Sequence, residues 1–385
     1  MERKHRVKVP EAAEVVGTDE HSANADALIE LRRVVKTFKN AAGEFTVLKG
    51  IDAAFREGEF VSVVGRSGSG KSTLLNMITG IDHPTSGVVR VGNLYLHTLS
   101  EGQMSVWRGR NMGIVFQFFQ LLPMLTLLEN VMLPMDFCDM YAPAEREERA
   151  AALLAEVDLA GLEHKYPAAV SGGQQQSAAV ARALANDPPI LVADEPTGNL
   201  DTRTAELILE IFERQVARGK TVIMVTHDDT LARRAARKLV ISDGELVNEW
   251  LAKAFPDLAH STLLSIHHAL TTQRLAPGEE LLSAGGLIVV SGGEIEVLLP
   301  SRHGELVVNH LKPGDFYVRP LTGSGAEERR GILTSLRAVG ARKEIIPRLR
   351  ATNQGAEVLV VKPESLVGLL ADSPELAKAF ESATL

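Results

Sequence analysis

From residue 65 the chain reads Gly65-Arg66-Ser67-Gly68-Ser69-Gly70-Lys71-Ser72-Thr73. These types at this spacing suit the holding of phosphate. The three glycines let the backbone fold round an anion without side-chain clashes, with peptide N–H groups turned inward. Lys71 adds an ammonium, and Ser72 is placed to give Mg²⁺ a hydroxyl ligand. A helix dipole contributes only about 0.3–1 kcal/mol to anion binding. The N–H cradle, Lys71 and the metal must therefore supply most of the grip on a triphosphate.

The elements that position this loop are legible beside it. Phe60 to Val64 is an apolar run that reads as a buried strand. Leu74 to Ile78 reads as a helix stopped by Gly80. Strand, Gly-rich loop and helix are the context in which the G-x-x-x-x-G-K-[ST] pattern binds nucleotides.

Four further polar stretches stand at the ends of expected elements. Gln117 follows the apolar strand Met112 to Phe116. Ser171-Gly172-Gly173-Gln174-Gln175-Gln176 opens a helix running towards Leu184, with Ser171 as its cap. Asp194-Glu195-Pro196-Thr197-Gly198-Asn199-Leu200-Asp201 follows the buried strand Ile190 to Ala193. His227 ends the strand that starts at Thr221. Ligand sites in open α/β sheets lie at the carboxyl ends of strands, so the placing carries more than any one motif.

Composition narrows the classes. The 385 residues allow two or three domains, and 45% apolar residues suffice for sizeable cores. With 49 acidic and 41 basic residues the net charge is −8, which argues against nucleic acid as the main partner. One cysteine, Cys138, rules out an intrachain disulfide and suits a reducing compartment. No signal peptide is visible: Arg3, Lys4, Arg6 and Lys8 have no apolar stretch behind them. The uncharged run Asn111 to Leu128 is interrupted by Gln117, Gln120 and Pro123, so it reads as a strand and loop rather than a membrane span.

The expected organisation is a flexible tail over 1–27, a nucleotide-binding domain over 28–250 and a second domain over 251–385. Leu28 to Phe38, Ile51 to Arg56 and Val88 to Val91 suit an antiparallel sheet beside the nucleotide core. Ala144 to Leu159, with helical spacing of Leu153, Leu154 and Val157, suits a helical subdomain. Leu207, Ile208, Ile211, Phe212 and Val216 mark a long amphipathic helix ending at Gly219. Lys238 to Val247 reads as a hairpin about Asp243-Gly244. The fold class is α/β: a P-loop NTPase core with antiparallel β and helical subdomains, then a small β-roll domain with flanking helices.

Over residues 28 to about 250 this combination resembles the nucleotide-binding subunits of ABC transporters. Phe116 to Met135, FQFFQLLPMLTLLENVMLPM, and the Thr197-Gly198-Asn199-Leu200-Asp201 run look like the lipoprotein-release and macrolide-export branch, which includes the cell-division ABC ATPase. The resemblance implies hydrolysis of MgATP to drive a permease in a separate membrane chain, in export or lipoprotein extraction. It places the protein in the cytoplasm, peripheral on the cytoplasmic face of the membrane. Residues 65–73 would hold ATP, with Phe38 stacking on adenine where the family usually has Tyr. Asp194, Ser72 and Gln117 would hold Mg²⁺, and Glu195, His227 and Gln117 would serve hydrolysis. Ser171, Gly172, Gly173, Gln174 and Asp201 would complete the ATP site of a second protomer, two chains clasping two ATP molecules head to tail. Two positions depart from the pattern: Ser177 stands where an arginine is usual and Val170 where a leucine is. The apolar run Phe118 to Leu128 is the expected surface for a cytoplasmic helix of the permease; its alternative role is packing against the helical subdomain.

The last third differs in texture. Pro256 to Leu270 and Ser365 to Phe380 read as helices. Glu280 to Leu298 reads as short strands broken by Gly285-Gly286 and Gly292-Gly293. Ala276 to Leu282, Val290 to Val297 and Lys312-Pro313-Gly314-Asp315-Phe316 look like a cyclic-nucleotide-binding domain. The phosphate cassette does not follow: Phe316-Tyr317-Val318-Arg319-Pro320 lacks the family's Gly-Glu, and the cassette arginine is not assigned among Arg342, Arg348 and Arg350. Cyclic nucleotide is therefore not the expected ligand, and a regulatory or dimer-supporting role is. His260, His267 and His268 lack a metal-binding pattern and read as surface histidines. Two other functions fit less of the chain: a sensor whose C-terminal domain controls the ATPase, and a soluble ABC ATPase acting on ribosomes or DNA, which would usually carry paired cassettes or a long coiled coil.

Overall fold

The computed structural model describes residues 27–40, 43–198, 200–281, 286–301, 304–319 and 347–382. The tail expected over 1–27 falls outside them except for Ala27, which opens a strand. Asn199, Leu282, Gly285, Pro320 and Arg342 also lie outside. The chain divides into two compact units between Leu246 and Val247.

The first unit opens with β1 (Ala27–Asn40) and β2 (Gly43–Arg56). β3 (Phe60–Val64) leads to α1 (Lys71–Thr79), and β4 (Ser86–Val91) and β5 (Leu94–Tyr95) follow. Next come α2 (Glu101–Asn111), β6 (Met112–Val115), α3 (Leu127–Phe137), α4 (Pro143–Glu156) and α5 (Gly172–Leu184). β7 (Ile190–Asp194), α6 (Thr202–Ala217), β8 (Thr221–Thr226), α7 (Asp229–Ala232), β9 (Arg237–Ser242) and β10 (Glu245–Val247) complete the series.

β2-β1-β4-β5 form an antiparallel sheet. β10-β9-β3-β8-β7-β6 form a second sheet, parallel from β9 to β6. All five residues of β3 and all six of β8 are buried, as strands covered on both faces should be. One core joins the antiparallel sheet and α1 to the parallel sheet through Leu31, Leu48, Phe55, Leu74 and Ile78. The other packs α3, α4, α5 and α6 against it through Val131, Leu154, Ala181 and Phe212. Phe212 meets Phe60 edge to face at 6.5 Å.

One helix was not anticipated, and another starts earlier than expected. α2 carries Gly102 and Gly109, which weaken its helical signature; a Ser100–Gln103 capping box starts it. α3 begins at Leu127, so the last residues of the run expected to be non-helical belong to a helix. Thr126 caps it: Oγ1 accepts from the Glu129 N–H at 3.2 Å.

The second unit contains α8 (Glu249–Ala254), α9 (His260–His268) and β11 (Leu270–Leu275). β12 (Gly286–Ser301), β13 (Gly304–Leu311), β14 (Phe316–Arg319), β15 (Arg348–Val361), α10 (Pro363–Asp372) and α11 (Pro374–Ser382) follow. Its strands pair antiparallel in the order β11-β15-β12-β13, with β14 also on β12. Three expectations need correction. Gly292-Gly293 does not break the strand; it shifts the register of β12 on β15, a bulge with Gly293 at φ 67°. The helix expected from Pro256 starts only at His260, and the last helix is interrupted at Ser373.

Candidate nucleotide site

The phosphate loop owes its shape to close backbone contacts. A Cβ on Gly65 would lie 2.4 Å from the Ile241 carbonyl oxygen of β9. Gly70 has φ 105° and lies against Leu48 and Val47 of β2. The Asp243-Gly244 turn closes the loop from behind: Gly244 N donates to Ser69 O at 3.1 Å, and Lys49 N donates to Gly244 O at 2.9 Å.

α1 starts at Gly70 with no side chain capping it, so its first N–H groups are left for an anion. The Lys71 ammonium donates to the carbonyls of Gly65 at 2.9 Å and Arg66 at 3.1 Å. Burial holds its pKa below the ordinary lysine value, against the pull of Glu195 and Asp194. Arg66, Ser67, Gly68 and Ser72 are exposed along the loop, and Thr73 is half-buried.

Behind the loop stand the two carboxylates at the end of β7. Burial raises the Asp194 pKa; the Ser72 hydroxyl donates to this carboxylate and opposes the shift. Asp194 Oδ1 and Ser69 Oγ are both buried without a hydrogen-bond partner. Such orphans are costly unless something else binds them. A buried carboxylate oxygen beside a serine hydroxyl is a hard-oxygen set that fits Mg²⁺, and the uncapped glycine loop fits a phosphate chain.

Glu195 has φ 46°, a left-handed conformation that non-glycine residues rarely adopt. That turn sets its carboxylate among three partners. Gln117 Nε2 donates to Oε2 at 3.0 Å, His227 Nδ1 lies 3.2 Å from Oε2, and Lys71 Nζ lies 3.9 Å from Oε1. The first residue of α1 and residues just past β6 and β8 thus converge on the carboxylate that follows β7.

The Ser171 stretch is not part of this cluster. Among the described residues no hydrogen bond joins Ser171 to Gln174 with the loop 65–73. Ser171 Oγ instead accepts from Gln174 N at 3.2 Å, and Ser171 N donates to Gln174 Oε1 at 2.9 Å. Its neighbour is the start of α6: a Cβ on Gly173 would lie 3.1 Å from Thr204 Oγ1, and Thr204 N donates to Asp201 at 3.0 Å. Phe38 stands apart from both groups, 44% exposed, with the Lys36 ammonium 4.9 Å from its ring centre.

A family model for the ABC transporter matches residues 48–198. The chain is 44% identical over 235 residues to an uncharacterized ABC transporter ATP-binding protein, MJ0796, of Methanocaldococcus jannaschii, covering 60% of this chain and 100% of that one. The chain belongs to the ABC transporter ATP-binding family. It is an ABC ATPase, similar in sequence to MJ0796 and to the MacB proteins. A solved dimer of the MJ0796 ATP-binding cassette in a post-hydrolysis state, bound to ADP and Pi, matches with a TM-score of 0.55 at 42% identity. That match covers 57% of this chain and 97% of the cassette. The macrolide export ATP-binding/permease protein MacB of Chromobacterium violaceum is 42% identical over 221 residues; this chain spans 34% of its length.

Two residues of this cassette, Arg182 and Gln176, were given no role in the sequence reading. Arg182 is half-buried and donates to the carbonyls of Gln120 at 2.5 Å and Phe119 at 2.7 Å, fastening the loop after Gln117 to α5. Burial lowers its pKa. Gln176 Nε2 donates to the Pro196 carbonyl at 2.9 Å, holding the loop after Glu195 to the same helix. The signal was a polar residue on an otherwise apolar helix face: Ala178 to Ala181, Ala183 and Leu184 are all buried.

In the second unit two of the three candidate cassette arginines are already paired. Arg348 bonds to Glu280 and Glu305, and Arg350 to Glu296 and Glu305, all from β15. After the Gly314-Asp315 turn the chain continues as β14. Among the described residues no group of His, Cys, Asp and Glu is placed to hold a metal.

Proposed function

We propose that this cassette binds and hydrolyses MgATP as a head-to-tail homodimer and thereby drives an integral-membrane permease. The observation that carries the reading is Glu195, gripped by Gln117 and His227 beside Lys71, next to the orphaned Asp194 oxygen. Lys71 and the N–H groups at the start of α1 hold the β- and γ-phosphates. Asp194, Ser72 and Gln117 hold Mg²⁺, which neutralises charge on the phosphate oxygens. Glu195 accepts the proton of the attacking water. Gln117 and His227 orient that carboxylate, and His227 reaches the γ-phosphate. Phe38 stacks on adenine. Ser171, Gly172, Gly173, Gln174 and Asp201 meet the ATP of the second protomer, a reading supported by the dimeric relatives.

The permease partner and an export or extraction direction are supported by the MacB relatives, whose name joins ATP-binding and permease functions. Among the described residues no helix is long and apolar enough to cross a membrane. Phe118, Leu122 and Met124 are exposed, which suits a permease helix docking there at the cytoplasmic face; Leu127 and Leu128 are instead core. The second unit is assigned a regulatory role, without cyclic nucleotide. A ligand that alters ATP turnover through it would favour the sensor reading.

Glu195→Gln tests the assignment. The variant should keep ATP, lose turnover by about 10²–10⁴-fold and dimerise at saturating ATP. Equal hydrolysis by wild type and variant would remove Glu195 from catalysis.

A further inference from the structure

We infer that Phe45 is a second base-contacting residue, so that the purine of the nucleotide rests on two cross-strand rings rather than on Phe38 alone. The inference builds on the reading of Phe38 as the adenine platform.

Phe38 of β1 and Phe45 of β2 are direct partners in the antiparallel register, so their side chains leave the same face of the sheet. Lys36, two residues before Phe38, shares that face, and its own partner is Leu48. Leu48 fixes which face this is, because its Cδ2 would lie 3.0 Å from a Cβ on Gly70, the residue that opens α1. The two rings and the phosphate cradle therefore lie on one side of the sheet. The extra residue between Thr46 and Leu48 is Val47, whose carbonyl oxygen would lie 3.1 Å from the same Cβ on Gly70. From Val47 to Phe45 is two residues, roughly 6–7 Å along a strand, a span that ribose and glycosidic bond can cross.

Both rings are unusually open. Phe45 is 64% exposed and Phe38 44%. Among the described residues Phe45 has no ring contact, although it stands directly opposite Phe38. Two apolar rings that share a face without touching leave room for a flat, apolar-faced ligand. Stacking from both would hold a purine. Lys36 lies close to the Phe38 ring and is tied to Asp82 Oδ1 at 2.6 Å and to the His83 carbonyl at 2.8 Å. That anchor fixes the Phe38 side of the platform, while Phe45 has no corresponding tether.

The test compares ATP with inorganic triphosphate, which has no base, on the full chain. Affinities of both are measured by displacement of a fluorescent ATP analogue for wild type, Phe45→Ala, Phe45→Tyr and Phe38→Ala. Phe45→Ala should weaken ATP roughly three- to tenfold and leave triphosphate unchanged, and Phe45→Tyr should restore ATP. If Phe45→Ala binds ATP as wild type does while Phe38→Ala is weakened, the second ring is ruled out and the platform stands. If Phe38→Ala is also unchanged, both base contacts fall. Equal weakening of ATP and triphosphate by Phe45→Ala would assign the effect to the Val47–Gly70 contact and overturn the inference.

Discussion

Two helix starts in the cassette face opposite conditions. α1 begins at a glycine, its first N–H groups have no side-chain cap, and Ser69 Oγ and Asp194 Oδ1 near it are buried without partners. α5 begins at Ser171, whose hydroxyl and backbone are engaged reciprocally with Gln174, and the cap is exposed. The first start is incomplete inside its own chain; the second is complete. An anion reaching the start of α5 must compete with the Ser171 cap, which is worth about 0.5–2 kcal/mol. On the proposed function, strong single-chain binding would belong to α1, and α5 would add to a nucleotide already held elsewhere.

Lys71→Ala is the severest way to break this contrast. It should weaken ATP by roughly a hundredfold, because a charge-assisted bond to phosphate is lost from a buried position; calorimetry checks it. Retained tight binding would mean that the N–H cradle suffices alone. Ser171→Arg, placed on the Glu195→Gln background, should leave ATP binding by one chain unchanged and abolish ATP-dependent dimerisation in sedimentation. Weakened single-chain affinity would instead put α5 in the same site as α1.

Asp194→Asn has a smaller effect with a sign of its own. Burial raises the Asp194 pKa above its unfolded value. The neutral carboxyl favours the fold, and that advantage is lost as pH rises through the folded pKa. Without nucleotide or metal, Asp194→Asn should melt higher than wild type at neutral pH, and the gap should close towards about pH 4. Mg²⁺-dependent turnover should fall. A variant less stable than wild type at neutral pH would show that Asp194 is already satisfied by Ser72. At the small end, Arg350→Ala should leave ATP turnover unaltered.

Much of the site was legible because local chemistry and local structure agree. Gly65 to Thr73 sits between an unbroken apolar run and a short helix, and Glu195, Gln117 and His227 stand where buried strands end. What was not legible depends on distant contacts. Phe45 acquires meaning only from its register with Phe38. Arg182 and Gln176 look like ordinary helix residues until their carbonyl partners, 62 and 20 positions away, are seen. β12 was misread because a glycine pair signals a turn unless a long partner strand carries the bulge. α2 was missed because its composition is polar and contains two glycines.

The Asp243-Gly244 turn has a consequence for biosynthesis. It braces the loop at Ser69 from more than 170 positions downstream, and Ile241 supplies the wall behind Gly65. A nascent chain that has emerged only as far as His227 carries every side chain proposed for catalysis, yet the loop proposed to cradle nucleotide still lacks a back. ATP capture during translation would thus report that the cassette has been finished.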